Sequence, residues 1–143
     1  MNAIAEEAEK YKMDAVAQQE ICWKGKGTIR KSIFTMYYSG NEDRQGNREA
    51  GFIVSKKANK SVLGFSPVCK RICTLRITGK LHNITFVNVY TPTEDTKDKI
   101  VDEFYETLQL VCDELPKHDA VITLGDFNAK LGKEQIYRHH RKT

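Results

Sequence analysis

The sequence predicts an α+β or α/β sandwich, and three observations carry that expectation. Short apolar segments with period-two alternation recur between turn signals through the first two thirds of the chain. One long segment then switches to helical spacing, and a last apolar strand follows it. Strands first, then a helix leading into another strand, do not fit a helical bundle. The 143 residues, 40% hydrophobic and 29% charged, suffice for one domain with its own core.

Residues 2–12 open with Ile4, Ala5 and Ala8 as the apolar stripe of a helix. "MDAVAQQEIC" reads as a short strand with Glu20 near its end, and "WKGKGTIRKS" as a glycine-rich basic loop. Further strands follow at "IFTMYYS", "AGFIVSK", "SVLGFS", "RICTLRIT" and "NITFVNVY", separated by turn signals such as Ser39-Gly40-Asn41 and Thr78-Gly79-Lys80. In "RICTLRIT" the inward set is Cys73, Leu75 and Ile77, with Arg71 on the same parity at the strand's entrance. An unpaired charge there is costly, so its guanidinium is expected to reach a carboxylate or a phosphate-facing rim. In "NITFVNVY" strict alternation puts Ile84, Phe86, Asn88 and Tyr90 on one face. After Pro92, residues 97–115 carry Ile100, Val101, Phe104, Leu108, Val111 and Leu115 at helical spacing, and Pro116 stops that helix. Residues 120–124 have no helical period and Thr123 as their one polar member, which is how a strand buried on both faces reads. Gly125 then lets the chain leave the sheet, so that Asp126 and Asn128 of "LGDFNAKLG" emerge together at the strand's end.

No apolar run approaches the roughly 18 to 20 residues of a membrane span. The start, "MNAIAEEAEKYK", lacks the apolar core of a signal peptide, so an intracellular site, nuclear or cytoplasmic, is expected. Four cysteines (Cys22, Cys69, Cys73, Cys112) form no CxxC pair, which argues for buried reduced thiols over a zinc or disulfide framework. The net charge of +4 hides an asymmetry: residues 24–93 hold 13 Lys or Arg against 3 acids, and residues 94–119 hold 3 against 9. The basic part can face a polyanion or simply keep the protein soluble, while the acidic helix is solvated.

Glu20, Tyr90 and Asp126 with Asn128 all stand at strand ends. If those strands are parallel neighbours, a carboxylate, a phenol, an acid and an amide converge at one rim, a set suited to phosphodiester hydrolysis. Glu20 can hold a hard, oxygen-seeking cation such as magnesium. Asp126 can orient or deprotonate a water, and Asn128 can donate to a developing oxyanion. Lys24, Lys26, Arg30 and Lys31 follow the Glu20 strand directly, where Trp23 either stacks on a base or sugar or is a half-buried core residue.

In order, "VAQQEICWKGKG", "NVYTPTED" and "ITLGDFNAKLG" resemble three successive motifs of the endonuclease/exonuclease/phosphatase superfamily. Within it the chain resembles the craniofacial development protein 2-like group, itself similar to the endonuclease domains of LINE-type (non-LTR) retrotransposons. "YYSG", "GFIVSK" and "RICTLRITGK" fit as well, so the likeness runs over residues 1–137 and leaves 138–143 as a basic tail. The resemblance implies a four-layered α/β sandwich of two facing β-sheets flanked by helices. It implies Glu20 as the ligand of Mg2+ (or Mn2+), Tyr90 as a contact of the scissile phosphate, Asp126 as the residue orienting the attacking water and Asn128 as the transition-state stabiliser. The expected partner is nucleic acid, DNA rather than RNA, with Lys24, Lys26, Arg30 and Arg71 as its binding residues.

The sequence departs from the pattern at Gln18, where an apolar residue is usual, and at Thr93, where asparagine is common. The family's first-strand asparagine and its terminal Ser-Asp-His have no counterpart in these residues. His139 and His140 belong to the basic tail, and His82 and His118 to solvated turns. The sandwich is therefore expected to be incomplete, with an uncovered sheet edge and feeble activity. Three readings follow: a magnesium-dependent nuclease domain, a catalytically dead retrotransposon-derived fragment, and a non-enzymatic nucleic-acid or chromatin-binding module.

Overall fold

The backbone ladders sort the strands into two four-stranded sheets, seen here in a computed structural model that describes residues 14–21, 27–31, 33–39, 49–92 and 97–126. For Glu20, Ile21, Glu49 and Asp126 it describes the backbone. The first sheet is antiparallel, in the order β1 (Ala15–Ile21), β4 (Glu49–Ser55), β3 (Phe34–Ser39), β2 (Gly27–Arg30). The second runs β5 (Val62–Cys69), β6 (Ile72–Ile77), β7 (Ile84–Tyr90), β8 (Ala120–Asp126). A one-turn helix α1 (Lys56–Asn59) follows β4, and the long helix α2 (Asp98–Glu114) connects β7 to β8. Those two strands are parallel, a pairing that needs a crossover of about a dozen residues or more, which α2 supplies.

The sheets face each other. Tyr37, Ala50, Phe52, Val54, Cys73 and Leu75 form the core between them, with Ala17, Phe65, Ile77 and Phe86 against it. On the other face of the second sheet, Ile72, Val87 and Val89 receive Phe104 and Leu108 from α2. β7 thus sends Phe86 and Asn88 to the first sheet and Val87 and Val89 to the helix, as its alternation predicts. Phe34, Met36 and Ile53 gather on the outer face of the first sheet. The helix expected at residues 2–12 lies outside the described residues.

Several elements differ from their sequence reading. Residues 27–30 of the expected basic loop form β2, because Thr28 and Ile29 alternate against β3 and Ile29 packs on Phe34, Met36 and Ile53. β5 continues to Cys69 through Pro67, which a strand at the sheet's margin tolerates because that position needs no N–H on its open side. α1 was hidden because one turn shows no period; Ser55 caps it by accepting from the Ala58 N–H at 3.0 Å. Ile100, counted in the apolar stripe of α2, is 42% exposed, whereas Phe104 and Leu108 further along the helix pack on the second sheet. β8 is less buried than its apolar run suggests: Ile122 is 41% exposed, and β7 is its one ladder neighbour among the described residues. Its apolar run reflects contacts above and below, Val121 towards α2 and Leu124 towards the first sheet, not a strand on each side.

Gly125 does not end the strand either. It remains opposite Val89, and the ladder continues to Tyr90 and Asp126. Its φ of 138° and the approach of the Val89 carbonyl oxygen, 1.9 Å from where a Cβ would sit, leave room for glycine alone.

Candidate active site

The parallel β7–β8 register sets Tyr90 directly opposite Asp126, the last pair of the ladder. Asn88 lies two residues earlier, opposite Leu124 and fully buried. Its amide is the junction with the first sheet. It donates to the Gln18 carbonyl oxygen at 3.0 Å and to the Gly51 carbonyl oxygen at 2.7 Å, and accepts from Gln19 Nε2 at 2.7 Å. These bonds bring the end of β1, with Glu20 next in the chain, to the same end of the sandwich as Tyr90 and Asp126. A second cross-sheet bond joins the same end, from Ser39 Oγ to the Cys69 carbonyl oxygen at 2.8 Å. The three strands bearing the sequence motifs therefore finish at one rim.

Tyr90 is 3% exposed, and its ring lies under Arg71, whose guanidinium carbon is 5.5 Å from the ring centroid. Arg71 stands in the turn before β6. Its Nη1 donates to the Tyr90 carbonyl oxygen at 3.4 Å, a long bond, while the Tyr90 N–H donates to the Arg71 carbonyl oxygen at 2.8 Å. The inward parity of Arg71 is thus resolved by a cation–π contact at the rim, where the quadrupole of the phenol offsets its burial. Arg30 is exposed on β2, opposite Thr35. Two strands, β3 and β4, separate it from β1, and it stands away from the Ser39 end of β3, so the fold does not bring it to this rim. Lys24, Lys26, Trp23 and Asn128 lie outside the described residues.

Asn88 and Gln19 are the residues that sequence reasoning did not assign. The one available signal was the polar Asn88 on the face that Phe86 buries.

Elsewhere the polar groups are structural. Arg76 donates to Asp119 through Nε at 2.6 Å and Nη2 at 2.9 Å, and Thr85 Oγ1 adds a bond at 2.8 Å. These bonds, Arg76's first, hold the Asp119 carboxyl below its ordinary range. They pin the start of β8, the end remote from Asp126. Burial pushes the Cys73 thiol well above its ordinary range, and Cys69, Cys73 and Cys112 are all free thiols. An apolar cavity of about 620 Å³ opens between the sheets, lined by Ala17, Phe52, Leu75, Phe86 and Leu124 among others. It gathers no catalytic set.

Magnesium is commonly held by one or two carboxylates with the rest of its shell water and phosphate. Among the described residues no group of three His, Cys, Asp or Glu side chains gathers. No helix of the described residues is long and apolar enough to cross a membrane.

Two facing four-stranded sheets are also the fold of two solved structures. The chain superposes on the endonuclease domain of TRAS1, a telomere-specific non-LTR retrotransposon, with TM-score 0.60 and 18% identity, over 97% of this chain and 64% of that one. An endonuclease/exonuclease/phosphatase family protein from Leptotrichia buccalis C-1013-b gives 0.58 and 16%, over 95% and 62%. By sequence, the chain is a homologue of Craniofacial development protein 2: it is 31% identical over 136 residues to the Bos taurus protein and 30% to that of Tragulus javanicus. That alignment takes in 95% of this chain but spans only 23% and 24% of the length of those relatives. No family model matches.

Proposed function

We propose that this domain is a magnesium-dependent phosphodiesterase of the endonuclease type, acting on nucleic acid at the rim where β1, β7 and β8 end. The observation that carries the reading is the β7–β8 register, which sets Tyr90 against Asp126 beside the Asn88 junction to β1. Glu20 would hold the cation, which when bound neutralises phosphate charge and favours water as a nucleophile. Asp126 orients the attacking water and accepts its proton. Asn128, two residues on, donates to the oxyanion as the phosphorus becomes five-coordinate. Tyr90 and Arg71 form one stacked unit at the phosphate, with the guanidinium supplying the charge and the ring fixing its direction. Lys24, Lys26 and Arg30 add attraction along the backbone of a longer strand, DNA in preference to RNA.

The test is cleavage of plasmid or abasic-site duplex DNA in Mg2+. Chelation and Asp126→Ala should each abolish it, with Asn128→Ala lowering the rate about 10²- to 10³-fold. Cutting that survives Asp126→Ala would refute the site.

The second reading, nucleic-acid binding without cleavage, is favoured by one observation: Lys56, Lys57 and Lys60 are exposed together around α1, away from any catalytic set. Duplex binding that falls steeply with salt, with no cleavage in Mg2+ or Mn2+, would select it.

A further inference from the structure

Glu20 belongs to the first sheet, and Tyr90 and Asp126 to the second. Among the described residues no backbone ladder joins the sheets, so their separation at the rim depends on side chains. The β1–β4 register also shifts between Gln18 and Ile21, so the ladder loosens at the end of β1. Support for that end passes to Asn88, which takes the carbonyls of Gln18 and Gly51 and the amide of Gln19.

Only a primary amide offers two N–H donors and an acceptor in one short planar group. An apolar residue at position 88 would fill the same volume beside Phe86, but would leave two carbonyls unanswered and the two sheets free to slide. A fully satisfied buried polar cluster selects one arrangement among several of similar packing. Gln19 is one peptide from Glu20, so displacement of the former moves the latter directly.

We infer that Gln19 and Asn88 are positioning residues that set the distance between the Glu20 strand and the Tyr90–Asp126 pair, and so tune divalent-cation affinity. The inference rests on the proposed cation site. It assigns neither residue to the reacting atoms.

The experiment titrates the full chain with Mn2+ by electron paramagnetic resonance. Gln19→Met keeps the length and apolar contact of the side chain but removes its donor, leaving Asn88 on both carbonyls. The variant should weaken Mn2+ binding by about tenfold, the lower end of what loss of a ligand-orienting partner produces. Leu108→Val serves as the control, since it loosens the α2 contact on the far face of the second sheet and should leave Mn2+ affinity unchanged despite lower stability. Unchanged Mn2+ affinity in Gln19→Met overturns the inference and leaves the cation site standing, as does an equal loss in Leu108→Val. Absence of Mn2+ binding by the unsubstituted chain overturns both together. A measurement without any variant covers failure of Gln19→Met to fold: Mg2+ should shift the side-chain amide resonances of Gln19 and Asn88 but not that of Asn59, which is bonded to Tyr37 remote from the rim. Resonances of Gln19 and Asn88 that stay in place overturn the inference.

Discussion

Gly125→Ala tests the register on which the rim depends. The new Cβ would lie 1.9 Å from the Val89 carbonyl oxygen, 2.9 Å from its carbon and 3.0 Å from its nitrogen. All three are backbone atoms of the neighbouring strand, so no rotamer relieves the overlap. The strands must part locally by roughly 1 Å, enough to forfeit a large share of their contact energy. The φ of 138° adds strain of about 1–3 kcal/mol for a residue with a Cβ. Weakening two flanking ladder bonds, at about 0.5–1.5 kcal/mol each, contributes another 1–3 kcal/mol or so. The expected loss is about 2–6 kcal/mol, a large part of the roughly 5–15 kcal/mol that holds a domain folded. Gly64→Ala is the internal control. Nothing lies within 4 Å of its would-be Cβ, so a change within about 0.5 kcal/mol is expected. Urea unfolding of both variants beside the parent measures the difference. An unfolding midpoint for Gly125→Ala equal to that of Gly64→Ala would refute the close strand approach, and with it the pairing of Tyr90 with Asp126.

Gln18 Oε1 is buried with no hydrogen-bond partner among the described residues, so Gln18→Met should raise stability by about 1–2 kcal/mol, read as a higher thermal midpoint. Asp119 has a folded pKa below its unfolded value, so its contribution is present above an unfolded pKa of about 3.9 and disappears as the pH falls through the folded one. Asp119→Asn should therefore be less stable than the parent near neutrality, with the two urea midpoints converging in acid. Phe104→Ala, at a site 5% exposed, should lose about 3–5 kcal/mol, whereas Ile100→Ala, at 42% exposed, should lose less than about 1 kcal/mol by the same assay.

The alternation of β7 and the spacing of α2 were legible because each element packs on one face that its own sequence repeats. Phe86 and Asn88 against Val87 and Val89, and Phe104 with Leu108, follow from period alone. That β8 has one ladder neighbour among the described residues was not legible: an apolar run records what lies above and below a strand, not whether a second neighbour is bonded to it. Gly27–Arg30 was obscured by the lysines and glycines that precede it, and its strand state comes from β3. The Asn88 cluster was out of reach for a different reason. Its bonds to Gln19 and Gln18 join residues 69 and 70 positions apart, and no local pattern encodes such partners.

The charge asymmetry of the sequence gains a direction in the fold. The acidic α2 is bound through Phe104 and Leu108 to the face of the second sheet that points away from the first. The basic α1 and Arg30 belong to the first sheet's side, with Lys56, Lys57 and Lys60 exposed around α1. Arg30 and α1 stand at the end of the sandwich away from the rim. On the proposed nucleic-acid reading, a polyanion would meet repulsion on the face that α2 covers and attraction on the side of α1, before any contact forms. Such steering acts over about a Debye length, roughly 8–10 Å near physiological salt, comparable to the spacing of two packed sheets. On that reading, the same helix that carries the chain from Tyr90 to Asp126 would also disfavour approach to the rim across its own face.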